Sequence, residues 1–507
     1  MSLIVETSHG PVRGVREGAL AVFRGIPYAR PPLGERRFRA PEPAPPWTEV
    51  RDASAFGPAC LQPTDMVSTM LGFDGEATSE DCLTVNVWVP PADGKKRPVL
   101  VWIHGGAFVV GSGSRRLTNA AALAERGEVI VVSCNYRLGA FGFLFLGEHD
   151  GGASGAVPNV GLLDQIAALR WVQREIAAFG GDPDNVTVFG ESAGAIGVAC
   201  LLALPHARGL FRRAILQSGS ANLVAPPARA ARVADSLLQR LGIAPGRVAD
   251  LRRVPAEHLL EAQLRVMMEP PEGVGGLPFQ PVIDGDILAR DPFELIRAGS
   301  ARDIPLVIGT TLDEMKLFDL LDPRVRELDA NGLLRRCERT IGAAHAARAI
   351  ELYSALRQQR GSAASPADLW SALESDRVMR APAMRLAELQ VAVQPAVYTY
   401  LFTWQSPYLN GALGACHALD IPFVFGTFEE PRVVPFSGDG PDARHLSHQM
   451  QDAWVAFARH GDPGHDALPP WPRYEPTRRA TMLLGPECAV VERPYEEERA
   501  FWETLGS

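Results

Sequence analysis

The chain of 507 residues has few cysteines and no long hydrophobic run, and these absences exclude several classes of protein. Its seven cysteines form no Cys-x-x-Cys pair, which argues against a disulfide scaffold and a zinc site. No apolar run approaches the ~20 residues that a membrane-spanning helix needs. The N-terminus carries neither the basic nor the apolar region of a signal peptide, so we expect a cytoplasmic location.

Basic patches are absent as well. The formal net charge is -9, and nowhere do basic and aromatic residues interleave as they do on nucleic-acid-binding surfaces. We therefore expect no nucleic-acid partner. We also expect no membrane association, no metal and no cofactor, and a monomer or a weak homo-oligomer. The hydrophobic fraction of 46% is enough to bury a large core.

Apolar runs alternate with helical stretches along most of the chain, which is typical of an α/β fold with a parallel sheet. Short strands at 3–5, 11–15 and 19–23, separated by glycine and charged turns, predict hairpins. Apolar residues recur at three- and four-residue steps from Leu162 to Phe179, which predicts an amphipathic helix. The runs that predict strands of the main sheet are 84–89, 99–103, 129–134, 186–189, 214–217, 304–309, 397–402 and 482–484, the last of which closes the sheet.

We expect residues 1–507 to form a single domain. Residues 322–394 have a mostly helical pattern, which predicts a helical insertion over one end of the sheet, and residues 495–505 predict a terminal helix. The long loop 62–79 carries apolar side chains that either pack into the core or form a lip over a pocket, and the sequence leaves this choice open. These side chains are Met66, Met70, Leu71 and Phe73.

The strongest chemical signal is Gly-Glu-Ser-Ala-Gly at 190–194, directly after the run 186–189 and before small helix-forming residues. A strand, a sharp turn and a helix put Ser192 at the apex, where its hydroxyl is held out at the carboxyl end of the sheet. Gly190 and Gly194 are needed because strand and helix nearly touch there. The helix also directs its positive dipole end at the same place. This context predicts that Ser192 is a nucleophile.

A second glycine-rich turn follows the predicted strand 99–103, with the sequence His-Gly-Gly-Ala-Phe at 104–108. An activated serine needs an oxyanion hole built from backbone N–H groups. The amides of Gly106 and Ala107, together with that of Ala193, are candidates for this role. The alternative interpretation is an ordinary glycine turn.

The residues alone leave several choices for the base and the acid. In α/β-hydrolases the chain order is nucleophile, acid, base. Glu314 follows the buried run 306–309, and His417 lies on a loop of small residues after the strand 397–402. Other acids and histidines remain open at this point, namely Asp284, Asp313, His206, His258, His345, His445, His448, His460 and His465.

Short motifs occur along the chain in the order of one known family. Stretches 80–87 and 189–194 match the two signatures of the type-B carboxylesterase/cholinesterase family. The chain resembles this family over nearly its whole length, and within it the bacterial p-nitrobenzyl esterases most closely. The other family-like stretches are 23–29, 135–139, 159–165, 215–219, 309–314 and 417–426.

This resemblance implies an α/β-hydrolase fold: a large, mostly parallel twisted sheet flanked by helices, a small N-terminal sheet, and helical insertions over the active site. It also implies a catalytic triad of Ser192, Glu314 and His417. The implied function is a serine carboxylesterase that hydrolyses small, fairly apolar esters through an acyl-enzyme intermediate.

The resemblance assigns roles to several neighbouring residues. Glu191 either shapes charge and water near the triad or is a buried structural carboxylate. Ser218 is expected to support the site by hydrogen bonding, and His104 to orient the oxyanion loop. Cys60 and Cys82 occupy positions where secreted relatives close a disulfide, and we expect them to be unpaired in a reducing cytoplasm. The expected pocket residues are Phe108, Ile196, Leu317 and Phe318. The expected structural ion pairs are Arg24–Glu80 and Arg137–Asp164.

Two alternatives remain at this stage. The same machinery would serve a hydrolase of a specialised xenobiotic or natural-product ester or carbamate. A non-catalytic, cholinesterase-like binding protein is the more remote alternative, because such proteins typically lose the nucleophile, whereas Ser192, Glu314 and His417 are all present.

Overall fold

The computed structural model describes residues 3–64, 75–150, 155–244, 246–320 and 322–506. The four apolar residues of loop 62–79 named above lie outside these described residues. The strands, numbered in chain order, are β1 (Ile4–Thr7), β2 (Gly10–Arg13), β3 (Val15–Glu17), β4 (Leu20–Pro27), β5 (Arg51–Asp52), β6 (Ala59–Cys60), β7 (Thr78–Ser79), β8 (Thr84–Val89), β9 (Arg97–Ile103), β10 (Ile130–Cys134), β11 (Gly181–Glu191), β12 (Arg213–Gln217), β13 (Leu306–Thr311), β14 (Val397–Phe402), β15 (Thr481–Leu484) and β16 (Ala489–Val491).

An 11-stranded sheet forms the centre, in the order β16-β15-β14-β13-β12-β11-β9-β10-β8-β4-β3. The seven neighbouring strands from β15 to β10 are parallel to one another. Antiparallel strands flank them at both edges. The predicted large, mostly parallel sheet is therefore confirmed, with every predicted strand of the sheet present.

The two edges of the sheet differ from the prediction. Only β1, β2 and β5 form the small N-terminal sheet, while β3 and β4 join the large sheet through β8. The expectation that 482–484 closes the sheet is wrong, because β16 pairs antiparallel with β15 beyond it. β16 has three residues and is partly exposed, so it lacks the apolar run that marks a buried strand.

The helices cover both faces of the sheet. The predicted helix 162–179 is an α-helix followed by a 3-10 turn at Ile176–Phe179, and the terminal helix is also present. The helices are α1 (Ala121–Gly127), α2 (Gly139–Phe143), α3 (Gly147–Asp150), α4 (Val160–Glu175), α5 (Ala193–Ala203), α6 (Pro227–Arg240), α7 (Ala256–Met268), α8 (Pro292–Arg297), α9 (Lys316–Asp319), α10 (Pro323–Arg326), α11 (Ala330–Ile341), α12 (Ala343–Gln359), α13 (Pro366–Ser375), α14 (Ala381–Val391), α15 (Ile421–Phe425), α16 (Val434–Ser437), α17 (Pro441–His460) and α18 (Glu496–Thr504).

The segment 322–394 is helical, as its sequence pattern predicts. It contains α10 to α14, with a π-helical turn at Asp376–Arg380 between the last two. Among the described residues, no helix is both long and apolar enough to cross a membrane.

Successive side chains of β9 point to opposite faces of the sheet and enter separate hydrophobic clusters. Val101 packs in the cluster that contains Ile166 of α4, whereas Trp102 packs in the cluster that contains Trp454 of α17. All four side chains are buried. Since both faces of the parallel strands are covered, the strand ends are where polar side chains can gather around a substrate.

Two sequence expectations about buried polar groups are met. Arg137 Nη2 lies 2.7 Å from Asp164 Oδ1, and both side chains are almost completely buried. This ion pair joins α4 to the loop after β10. Cys60 and Cys82 are both buried free thiols.

The expected pairing of Arg24 with Glu80 is wrong. Arg24 Nη2 instead lies 2.6 Å from Glu17 Oε1, because the β3–β4 hairpin brings these two residues together. Glu80 accepts two hydrogen bonds of 2.6 Å from the guanidinium of Arg37. Arg37 also donates to two backbone carbonyls, which fixes the direction of its guanidinium.

Candidate active site

Ser192 lies between β11 and α5, at the carboxyl end of the parallel strands. Its backbone has φ 55° and ψ −125°, a conformation that costs a non-glycine residue about 1–3 kcal/mol. A Cβ on Gly190 would lie 2.6 Å from the carbonyl carbon of Gly194, and a Cβ on Gly194 would lie 2.0 Å from Ile103 O. The close approach of strand and helix expected from the sequence is therefore present. It keeps Ser192 at the apex of the turn, half-buried.

His417 lies between two carboxylates. Its Nδ1 is 2.6 Å from Glu314 Oε2, and its Nε2 is 3.1 Å from Glu191 Oε1. The other oxygen of Glu314 accepts a 2.8 Å hydrogen bond from the backbone N–H of Thr311, which fixes the carboxylate. Within the described part of the chain, the Ser192 hydroxyl makes no hydrogen bond. The imidazole thus contacts the residue directly before the serine.

The electrostatics of this cluster favour a proton on the imidazole. Burial alone lowers the pKa of His417, but the carboxylates of Glu191 and Glu314 outweigh it and raise the pKa to about 9. Burial raises the pKa of Glu191 to about 8, against the opposing effect of His417. The Glu191–His417 contact therefore retains a proton into the alkaline range.

Asp420 is a further buried carboxylate near the imidazole. Its Oδ2 accepts hydrogen bonds from Gln217 Nε2 (3.0 Å) and from the Tyr400 hydroxyl (2.9 Å). Burial raises the pKa of Asp420 to about 6, and its charge in turn contributes to the raised pKa of Glu191. Sequence reasoning missed this residue, although the family-like stretch 417–426 contains it.

The loop after β9 has an unusual backbone. Gly106, Ala107 and Phe108 have successive φ values of 107°, 55° and 61°, all in the left-handed region. A Cβ on Gly105 would lie 2.7 Å from Glu191 O and 3.1 Å from Ser192 Cβ, so the loop touches the serine turn. Within the described ranges, the amides of Gly106, Ala107 and Ala193 donate no hydrogen bond to the protein. Their N–H groups can therefore donate hydrogen bonds to an oxygen atom of a ligand.

His104 holds the start of this loop. Its ring stacks on Tyr136 with centroids 4.4 Å apart, and its Nδ1 lies 2.8 Å from Gly105 O. The Tyr136 hydroxyl donates to His104 O at 2.8 Å. Burial lowers the pKa of His104 to about 3, so the ring is neutral and its Nδ1–H donates to Gly105 O.

The four expected pocket residues are not equivalent. The Phe318 ring lies 5.2 Å from the His417 ring and is 41% exposed, so it can contact a ligand at the imidazole. Phe108, Ile196 and Leu317 are 0%, 1% and 3% exposed and pack with core side chains. For these three, a role in lining the pocket stays a prediction.

The side-chain hydrogen bond expected of Ser218 is not seen among the described residues. The side chain is fully buried, and the Oγ has no hydrogen-bond partner among the described residues. Ser218 contributes through its backbone N–H, which donates to Gly309 O at 2.9 Å.

The described residues contain no group of His, Cys, Asp or Glu side chains arranged to hold a metal ion.

The geometry defines a class of enzyme. The serine lies in a strained strand-to-helix turn at the carboxyl edge of a mostly parallel sheet. A His–carboxylate pair that comes later in the chain lies beside this turn. This is the arrangement of an α/β-hydrolase. The model of the Carboxylesterase family matches residues 1–502, so the chain belongs to this family and is a carboxylic ester hydrolase.

Individual relatives agree with this assignment. The para-nitrobenzyl esterase of Bacillus subtilis (strain 168) is 41% identical, over 98% of this chain and 97% of the relative. The phenmedipham hydrolase of Pseudarthrobacter oxydans is 38% identical, over 97% and 96% of the two chains. The crystal structure of the carboxylesterase EST55 of Geobacillus stearothermophilus is similar with a TM-score of 0.88 and 44% identity. That similarity covers 99% of this chain and 100% of the other.

Proposed function

We propose that this enzyme is a serine carboxylesterase that hydrolyses small, fairly apolar esters through an acyl-enzyme, with Ser192, His417 and Glu314 as its triad. One observation carries the proposal. The imidazole of His417 is hydrogen-bonded to Glu314 at 2.6 Å and contacts the residue before Ser192, which is itself held in a strained turn. We further propose that residues 1–507 work as one domain, with 322–394 as an insertion.

Acylation begins at the Ser192 hydroxyl. Its Oγ attacks the ester carbonyl carbon while Nε2 of a neutral His417 accepts the proton. For this step Nε2 of His417 gives up its contact with Glu191 and accepts a hydrogen bond from the Ser192 hydroxyl. Glu314 keeps Nδ1 protonated and stabilises the imidazolium. The carbonyl oxygen becomes negative and is stabilised by the amides of Gly106, Ala107 and Ala193.

The intermediate then collapses. The bond from the carbonyl carbon to the alkoxy oxygen breaks, and the leaving alkoxide takes the proton from His417 Nε2. Water attacks the acyl group on Ser192 in the same way, giving its proton to His417. Collapse of the second intermediate returns that proton to Ser192 and releases the carboxylic acid.

The role of Glu191 follows from its contact with Nε2. An ionised carboxylate there stabilises the imidazolium that forms in each step, but by the same attraction it opposes formation of the neutral base. Glu191 thus acts by setting the pH range in which His417 accepts a proton. Phe318, which is partly exposed beside the imidazole, gives this side of the site its apolar character.

A substrate panel tests the proposal. We expect fast hydrolysis of p-nitrophenyl acetate and butyrate by the parent enzyme, slower hydrolysis of the decanoate, and loss of all three activities in Ser192→Ala. Ser218→Ala is a matched control, because its hydroxyl is buried and lacks a partner among the described residues. Turnover that survives in Ser192→Ala would refute the proposed nucleophile.

The similarity to a phenmedipham hydrolase favours one second candidate, a hydrolase of a specialised xenobiotic ester or carbamate. Phenmedipham is therefore added to the panel. A kcat/KM for phenmedipham well above that for p-nitrophenyl butyrate would favour this candidate. The reverse order would favour the small-ester hydrolase.

A further inference from the structure

The three successive left-handed residues of the oxyanion loop raise the question of what holds them in place. Two of them, Ala107 and Phe108, are not glycines, and such a backbone persists only where its surroundings fix it. β9 anchors the loop at its start through His104. On the far side of the strained residues, the loop residue Gly111 is not part of a strand or helix.

Gln62 holds this far side. Its Nε2 donates to Gly111 O at 2.9 Å, and its Oε1 accepts from the Gly111 N–H at 2.7 Å. The same Nε2 also donates to Cys60 O at 3.0 Å, which ties the amide to its own strand end. A paired donor and acceptor fix both the position and the direction of the Gly111 backbone.

Gly111 transmits this constraint to the oxyanion amides. It has φ 112°, and a Cβ placed on it would lie 2.4 Å from Gly105 O and 2.4 Å from His104 Nδ1. Its backbone therefore packs directly on the peptide that joins Gly105 to Gly106, and on the His104 ring. The N–H of this peptide is the Gly106 amide, and Ala107 follows it along the chain. Gly105 itself lies against the serine turn. A shift of Gly111 would therefore remove the contact that holds this peptide against the serine turn.

We propose that Gln62 is a positioning residue for the oxyanion hole, acting through Gly111 on the amides of Gly106 and Ala107. The proposal rests on the proposed function, because it takes these amides as the ones that bind the oxyanion. Gln62 does not touch the substrate. It keeps the amide donors within the narrow range of positions in which they stabilise the transition state.

The test compares Gln62→Leu with Gln173→Leu. Gln173 is a matched control, since its half-buried side chain also bonds backbone, donating to Pro183 O (2.7 Å) and Leu210 O (2.9 Å) at the opposite end of β11. Kinetics of p-nitrophenyl butyrate hydrolysis are measured per active site, counted by titration with an organophosphate. This count removes any loss of folded enzyme from kcat.

We expect Gln62→Leu to lower kcat by about 10- to 100-fold with KM within about threefold, because the oxyanion contacts strengthen only in the transition state. A trifluoromethyl ketone, which forms a tetrahedral adduct with the serine, should bind more weakly by a similar factor. Gln173→Leu should keep kcat and ketone affinity within twofold of the parent. Unchanged kcat and ketone affinity in Gln62→Leu, or equal losses in both variants, would overturn the proposal.

Gln62→Glu gives a second readout that does not depend on the folding of the leucine variant. A protonated carboxyl group can both donate and accept, whereas a carboxylate cannot donate to the two carbonyls. The activity of Gln62→Glu relative to the parent should therefore fall as pH rises, and a constant ratio would count against the proposal. A parent enzyme that hydrolyses no ester, or whose activity survives Ser192→Ala, would refute the proposed function instead.

Discussion

Replacing Glu191 by glutamine removes a carboxylate whose Oε1 lies 3.1 Å from His417 Nε2, while keeping the size of the side chain. Both groups are buried, and this carboxylate is a main reason why the pKa of His417 is raised to about 9. A negative charge favours the imidazolium. Its removal therefore lowers the pKa of His417, and the neutral imidazole that accepts the Ser192 proton persists to lower pH.

The size of the effect follows from the distance. Two unit charges 3.1 Å apart attract by about 1.3 kcal/mol even at the dielectric constant of water. That energy corresponds to about one pKa unit. A buried pair interacts more strongly, and a close opposite charge usually shifts a pKa by about 1–3 units. We expect the acidic limb of the kcat/KM profile of Glu191→Gln to move about 1–3 units to lower pH.

The assay is the rate of p-nitrophenyl butyrate hydrolysis at low substrate concentration from pH 5 to 10, corrected for spontaneous hydrolysis. Glu175→Gln is the matched control, because Glu175 is also buried and lies 3.2 Å from a histidine, His9, far from Ser192. The control should leave the profile unchanged. An acidic limb of Glu191→Gln that coincides with the parent, or that moves to higher pH, would refute this reasoning.

Three further predictions concern single residues. Glu314→Gln should lower kcat by about 10⁴-fold, because an amide cannot stabilise the imidazolium; a loss below tenfold would contradict its role as the acid. Asp164→Asn leaves the buried Arg137 without its charge partner and should lower the free energy of unfolding in urea by about 3–5 kcal/mol. A change under 1 kcal/mol would show that the pair is not structural. Gly194→Ala places a Cβ 2.0 Å from a backbone oxygen of β9 and should give no labelled, folded enzyme by circular dichroism and organophosphate titration. Gly275→Ala, where a Cβ meets nothing within 4 Å, should behave like the parent.

The sheet could be predicted because strands buried on both faces require continuous apolar runs, and such runs are visible in one sequence. The prediction failed at the edges. β16 is short and partly exposed, and so has no such run. β4 pairs with β8 across the intervening residues 28–83, β3 joins the sheet through β4, and the local pattern of these two strands is that of any hairpin.

The site shows the same division between local and tertiary information. Ser192 and the loop at 104–108 could be found because a sharp turn imposes glycine at fixed spacings. The pairing of Glu314 with His417 joins residues 103 positions apart, and only family motifs selected it from the alternatives. The contact of Glu191 with His417 depends on how the end of β11 meets the loop that carries His417, which leaves no mark in the local sequence.

The most direct test of the account is covalent labelling with diethyl p-nitrophenyl phosphate, followed by intact-mass measurement and peptide mapping. The proposed mechanism predicts one equivalent of p-nitrophenol released per chain, one diethylphosphoryl group on Ser192, parallel loss of esterase activity, and no adduct in Ser192→Ala. An adduct on a different residue, or esterase activity that survives full labelling of Ser192, would contradict the claim that Ser192 is the nucleophile.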